Sequence, residues 1–151
     1  MIGIAELFDS VHRSGLKYFV QAMPNIPTDT LITEGEIATY WFEDGILVSL
    51  SKSVKRTVDN IRGNVALVQE LTGGKPAPLL IYLTNSPVPD KETRRYSAEQ
   101  VPKIYKAMAM VSKPGLASFV MKMVFALKPA PIPIRHFTND REAREWLKQY
   151  V

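Results

Sequence analysis

Arg94-Arg95-Tyr96 is the polar cluster in this sequence with the clearest chemical potential. Two adjacent guanidinium groups present forked donors. At the start of a helix they would add to its free N–H groups and could receive a phosphate or a carboxylate. The bland alternative is a pair of surface ion pairs with Glu92 or Glu99, which contribute little. Other reactive groups are sparse. His12 and His136 stand alone, without the HxxxH or HExxH spacing that places two imidazoles on one metal, so each reads as a packed or surface histidine. There is no Cys, which removes thiolate nucleophiles, disulfides and cysteine metal sites. Gly73-Gly74-Lys75 lacks the GxxxxGK[ST] spacing of a phosphate loop and reads as a turn, and Asp90, Glu92 and Glu99 read as a solvated face. No catalytic residue, metal or cofactor is expected.

The second feature is apolar. Residues 116–127, LASFVMKMVFAL, have only Ser118 and Lys122 as polar positions. As a helix the segment reaches about 18 Å, well short of a hydrocarbon core of roughly 30 Å, so it does not span a bilayer. Its apolar surface extends nearly all round, beyond what one sheet face can cover. Phe119, Met121, Met123 and Phe125 are therefore candidates for an interface with a second subunit or for a surface against an apolar ligand, with core packing as the alternative. The following KPAPIPI is stiffened by alternating prolines and delivers the chain into the last strand.

These features need elements to hold them. Residues 3–23 carry a helical stripe broken near Ser14-Gly15, and MPNIPTDT then stops the helix. From Glu36 the pattern is strand-like, with Ile37, Thr39 and Trp41 on one face. Asp44-Gly45 joins it to ILVSLS, the signature of a β-hairpin. Val54, Val58, Ile61, Val65, Val68 and Leu71 mark an amphipathic helix closed by Gly73-Gly74. PLLIYLTN reads as a central strand covered on both faces. Pro102 predicts two short helical pieces around a kink rather than one helix through residues 86–105. KAMAMVSK is a buried strand, PIRHFTN a last strand, and NDREAREWLKQYV a last helix capped by Asn139 or Asp140, with Ala143, Trp146, Leu147 and Tyr150 inward. Alternation of strands and helices after a hairpin makes an α/β sandwich with a mixed sheet.

A chain of 151 residues fits one domain with its own core. Residues 1–45 hold seven acids and two bases (−5), and residues 46–151 hold eight acids and seventeen bases (+9), which sum to the net +4. The bases are scattered, and without an aromatic-basic face or a helix-turn-helix pattern no nucleic-acid binding is expected. Glu6 and Asp9 interrupt the N-terminus where a signal peptide would be basic and then apolar, so the expected location is cytoplasmic.

Taken together, WFEDGILVSLSK, the helix after it, PLLIYLTN with its following TRRY, AMAMVSK, the apolar segment and PIPIRHFTNDREAREWL resemble bacterial STAS-like (SpoIIAA-like) proteins of the STAS/CRAL-TRIO superfamily. The resemblance covers residues 34–151, and the closing pattern from Pro133 to Trp146-Leu147 is its most specific part. It implies a mixed four- to five-stranded sheet that starts with a hairpin, helices mainly on one face, and a non-enzymatic regulatory or protein-interaction role. The domain is expected over 31–151, preceded by a helical extension and linker over 1–30. In anti-sigma-factor antagonists of this type a phosphorylatable Ser opens the helix after the central strand. The corresponding TNSPVPDKETRR offers Ser86, with Thr84 and Thr93 nearby, but lacks the Asp-Ser-x-Gly turn. The expectations are therefore a homodimer acting by protein binding or, as the alternative suggested by CRAL-TRIO relatives, a carrier or sensor of a small apolar or lipid-like ligand.

Overall fold

The computed structural model describes Ile26, residues 29–113, Gly115 and residues 130–151. The expected N-terminal helix and the 116–127 segment, with Phe119, Met121, Met123 and Phe125, lie outside the described residues. Among the described residues six strands form one sheet in the order β1-β2-β3-β4-β5-β6. They are β1 (Thr33–Glu34), β2 (Ala38–Glu43), β3 (Ile46–Ser51), β4 (Ala77–Tyr82), β5 (Tyr105–Val111) and β6 (Ile134–Phe137). The first two pairings are antiparallel and the other three parallel, so the sheet is mixed. The strand beyond the expected four or five is the two-residue β1, too short to leave a periodic signal. The predicted hairpin is present: Glu43 pairs with Ile46, and Asp44 (φ 49°) and Gly45 (φ 82°) both take the left-handed turn conformation.

Helix α1 (Val58–Thr72) follows β3, and α2 (Lys91–Ile104) follows β4. Thr57 caps α1 in a reciprocal capping box with Asn60, and Gly73, at φ 67°, ends it. Both helices cover the same face, because two successive right-handed crossovers step in one direction along the sheet. Their core joins Ile61, Val65, Val68, Val101 and Ile104 to Leu47, Leu79, Met108 and Met110. The short α3 (Asp140–Leu147) packs on the opposite face, where Ala143 and Leu147 meet Leu80, Tyr82, Ala107 and Ala109. Asn139 caps it, accepting from Arg141 N at 2.8 Å and Glu142 N at 3.3 Å. Among the described helices two thus lie on one face and one on the other. No described helix is long and apolar enough to cross a membrane.

Three sequence expectations are corrected. Val54 lies in the loop after β3 rather than on the helix, because Thr57, with extended backbone, caps α1. Residues 91–104 form one helix rather than two, because Pro102 falls in its last turn and removes a single N–H, while Pro87 and Pro89 precede the helix. Ile37 sits in a bend before β2 and packs with Ala38 and Tyr40 rather than on the Trp41 side.

One irregularity positions the site described next. Ala77 pairs with Tyr105 but Pro78 pairs with Ala107, so Lys106 is an extra residue on β5. This bulge resets the alternation and puts Tyr105 on the same face as Met108 and Met110.

Candidate functional site

Between the α1–α2 layer and the sheet lies a cavity of about 160 Å³. Its floor comes from alternate residues of four strands: Ala38 and Tyr40, Ser49 and Ser51, Leu79 and Ile81, and Tyr105, Met108 and Met110. α1 contributes Ile61, Asn64 and Val65. α2 contributes Arg94, Ser97, Gln100, Val101 and Ile104, whose spacing of three and four residues makes one helical face. The loop from β4 to α2 adds Ser86, Pro87 and Pro89, and is tied to the loop after β3 by a hydrogen bond from the Ser53 hydroxyl to the Asn85 carbonyl.

Inside this apolar wall a few polar groups converge. Tyr40 donates to Asn64 Oδ1 at 2.8 Å, and its hydroxyl lies 3.5 Å from that of Tyr105. Burial pushes both phenols above their ordinary pKa, against the hydrogen bonds that Tyr40 makes, so both stay protonated at neutral pH. The fully buried Ser49 hydroxyl lies beside that of Tyr40, whose pKa it draws down, and makes no hydrogen bond of good geometry. Nearer the mouth, Arg56 donates to Ser51 Oγ at 2.6 Å and to the Ile37 carbonyl at 3.1 Å. Burial draws the Arg56 pKa down, with Tyr40 acting in the other direction. Among the described residues the lining holds no Asp, Glu, His or Lys. The chemistry this arrangement supports is enclosure of an apolar body and hydrogen bonding to one polar group.

The residues singled out in the sequence are not brought together. Arg94 turns towards the cavity and donates to the Pro89 carbonyl at 2.6 Å, Arg95 is exposed, and Tyr96 packs near α1 with the Arg62 guanidinium 5.6 Å from its ring centre. The α2 N-terminus is occupied by its own cap, Asp90, which accepts from Thr93 N at 2.8 Å. That bond is the main reason the Asp90 carboxyl lies below its usual range. Ser86 sits on the cavity rim five residues before α2 starts, rather than at the helix start. Thr84 and Thr93 are buried. His136 is bonded to Ser112 at 2.7 Å on the edge strand β6. No group of three or more potential metal ligands occurs among the described residues.

Tyr40, Ser49, Ser51, Asn64 and Tyr105 were absent from the sequence-based candidates. Part of their signal was present: in ILVSLS the apolar face is Ile46, Val48 and Leu50, and the other face carries two serines in a strand that is buried on both sides.

A protein-family model described as a domain of unknown function, DUF7793, matches residues 40–151. The chain belongs to this family. The DUF7793 region takes in the lining residues from Tyr40 on β2 to Met110 on β5, and Ile37 and Ala38 lie just before it. No curated protein matches the chain. Among solved structures, an uncharacterized protein of the DUF3478 family with a SpoIIAA-like fold, from Shewanella loihica PV-4, is similar at 18% identity. The match covers 78% of this chain and 91% of that chain with a TM-score of 0.48.

Proposed function

We propose that this DUF7793 chain is a non-enzymatic binding domain that holds a small, largely apolar molecule between its helical layer and its sheet, as a sensor or carrier. The observation that carries this reading is the partnerless Ser49 hydroxyl in the wall of an apolar cavity. A buried hydroxyl without a partner costs about 1–3 kcal/mol, and a ligand offering an acceptor or donor there would recover it. Apolar walls with a few convergent polar groups are the usual make-up of a small-molecule site. A serine nucleophile needs a base beside it, and the described lining supplies none, which favours binding over turnover.

The protein-interaction reading draws on a different observation. Val54 and Val88, 37% and 43% exposed, stand on the two loops joined by the Ser53–Asn85 bond at the edge of the cavity, an apolar pair that a partner could cover. A partner seated there would sense whether the cavity is filled.

Native mass spectrometry of the purified chain tests the main reading. A protomer carrying an additional mass that denaturation releases supports it. A ligand-free chain that gains no mass from an apolar small-molecule library counts against it.

A further inference from the structure

The cavity has a sign of charge. Arg56 and Arg94 both line it, while no described acid does. Arg56 is held by neutral acceptors alone: Nη1 donates to the carbonyls of Lys52 at 2.5 Å and Val54 at 2.7 Å, and Nη2 to Ser51 Oγ and the Ile37 carbonyl. Among the described residues no carboxylate forms an ion pair with it. A guanidinium keeps its proton even when partly buried, so this positive charge remains uncompensated. Ser49 and Ser51 project from β3 to the same face, one pleat repeat or about 7 Å apart. The partnerless Ser49 hydroxyl therefore lies one step along the strand from the group that holds the guanidinium.

Resting on the binding reading above, we infer that the ligand is a small monocarboxylate, its apolar body against Leu79, Val101, Ile104 and Met108 and its carboxylate between Ser49 and Arg56. One negative charge matches the site better than two, because the rest of the wall is mainly apolar and offers few donors. The size is also bounded. An engineered apolar cavity of about 150 Å³ holds benzene, and this one is about 160 Å³. The enclosed part of the body is thus about one aromatic ring or an equivalent branched chain.

The test titrates the full chain with benzoate, benzamide and inorganic phosphate, following the methyl signals of Met108 and Met110 and the melting temperature. Benzoate is expected to bind at least about tenfold more tightly than benzamide, since hydrogen bonds to a charged partner are roughly twice as strong as neutral ones. Ser49→Ala is expected to weaken both ligands, and benzoate more than benzamide, so that the preference narrows. Arg56→Gln should do the same, but Arg56 also secures the loop after β3, so the ligand comparison in the unmodified chain and Ser49→Ala carry the test. Equal affinity for benzoate and benzamide would keep the apolar cavity and overturn the carboxylate. Tighter binding of phosphate, or a Ser49→Ala chain with undiminished preference for benzoate, would also overturn it. Failure of all three probes to move Met108 and Met110 would overturn the binding reading itself.

Discussion

The hydroxyls of Tyr40 and Tyr105 meet 3.5 Å apart although their strands are separated by two others. Three strand spacings are about 14 Å, so the two phenols lie across β3 and β4 and reach towards each other beneath the helices. Asn64 fixes the arrangement from α1 by accepting from Tyr40 at 2.8 Å. Removing the Tyr40 hydroxyl strands Asn64 Oδ1 and takes from Tyr105 its hydroxyl neighbour. Removing the Tyr105 hydroxyl leaves the Tyr40–Asn64 bond intact. Tyr40→Phe should therefore cost about 1–3 kcal/mol and Tyr105→Phe about 1 kcal/mol or less, an order that urea denaturation of the two variants can check.

The same tyrosines set a limit in alkali. Burial raises the Tyr40 and Tyr105 pKa values above the ordinary 10.0. Above pH 10 the unfolded chain loses phenolic protons that the folded chain keeps, so the unfolded state binds fewer protons and stability falls as pH rises. Below pH 10 their contribution is fully present. Each adds up to about 1.4 kcal/mol of loss per pH unit in that window. Tyr82, whose pKa is also raised by burial and by its bond to Asp140, acts in the same direction. The slope of unfolding free energy between pH 10 and 11 should be shallower in Tyr40→Phe and Tyr105→Phe than in the unmodified chain, and an unchanged slope would be inconsistent with burial of these phenols.

On the opposite face Arg144 joins the hairpin to the last helix. Its Nε and Nη2 bond Glu43 Oε2 at 3.0 and 2.9 Å, its Nη1 lies 3.1 Å from Asp140 Oδ2, and Trp41 donates to Glu43 Oε1 at 2.8 Å. Glu43 is mostly buried, so losing Arg144 leaves a poorly hydrated carboxylate. Arg144→Ala should destabilise the fold by about 1–3 kcal/mol, below the cost for a fully buried pair because the site is partly open to water. The melting temperature should fall by several degrees while binding in the cavity on the other face is retained.

The hairpin turn leans on the C-terminus. A Cβ on Gly45 would stand 2.8 Å from Val151 Cγ1, and Gly45 has φ 82°. Gly45→Ala therefore meets both a contact and a strained backbone, with a combined cost of about 1–2 kcal/mol. Removing Val151 from that variant should recover only the contact part, which a comparison of the three chains by denaturation will resolve.

The legible parts of this fold are those with local causes. Asp44-Gly45 sets its own turn, Gly73 ends its own helix, and the three- and four-residue spacing in α1 and α3 fixes which faces turn inward. What stayed hidden depends on distance in the chain. The Tyr40–Tyr105 contact spans 65 residues and depends on a one-residue bulge at Lys106, and Arg144 meets Glu43 across 101 residues. Adjacent letters also misled: Arg94, Arg95 and Tyr96 point three ways because successive residues on a helix are turned by about 100°. Pro102 looked like a break because its position within the helix, rather than its presence, decides its cost.

The most direct test of the central claim is a titration of the chain, labelled with ¹³C at its methionine methyl groups, with small single-ring probes of about benzene size. Met108 and Met110 line the cavity floor, so a binding domain predicts saturable shifts of both signals at a common midpoint. Signals that stay fixed, or drift linearly without saturating up to the solubility limit of the probes, would contradict the assignment of this cavity as a ligand site.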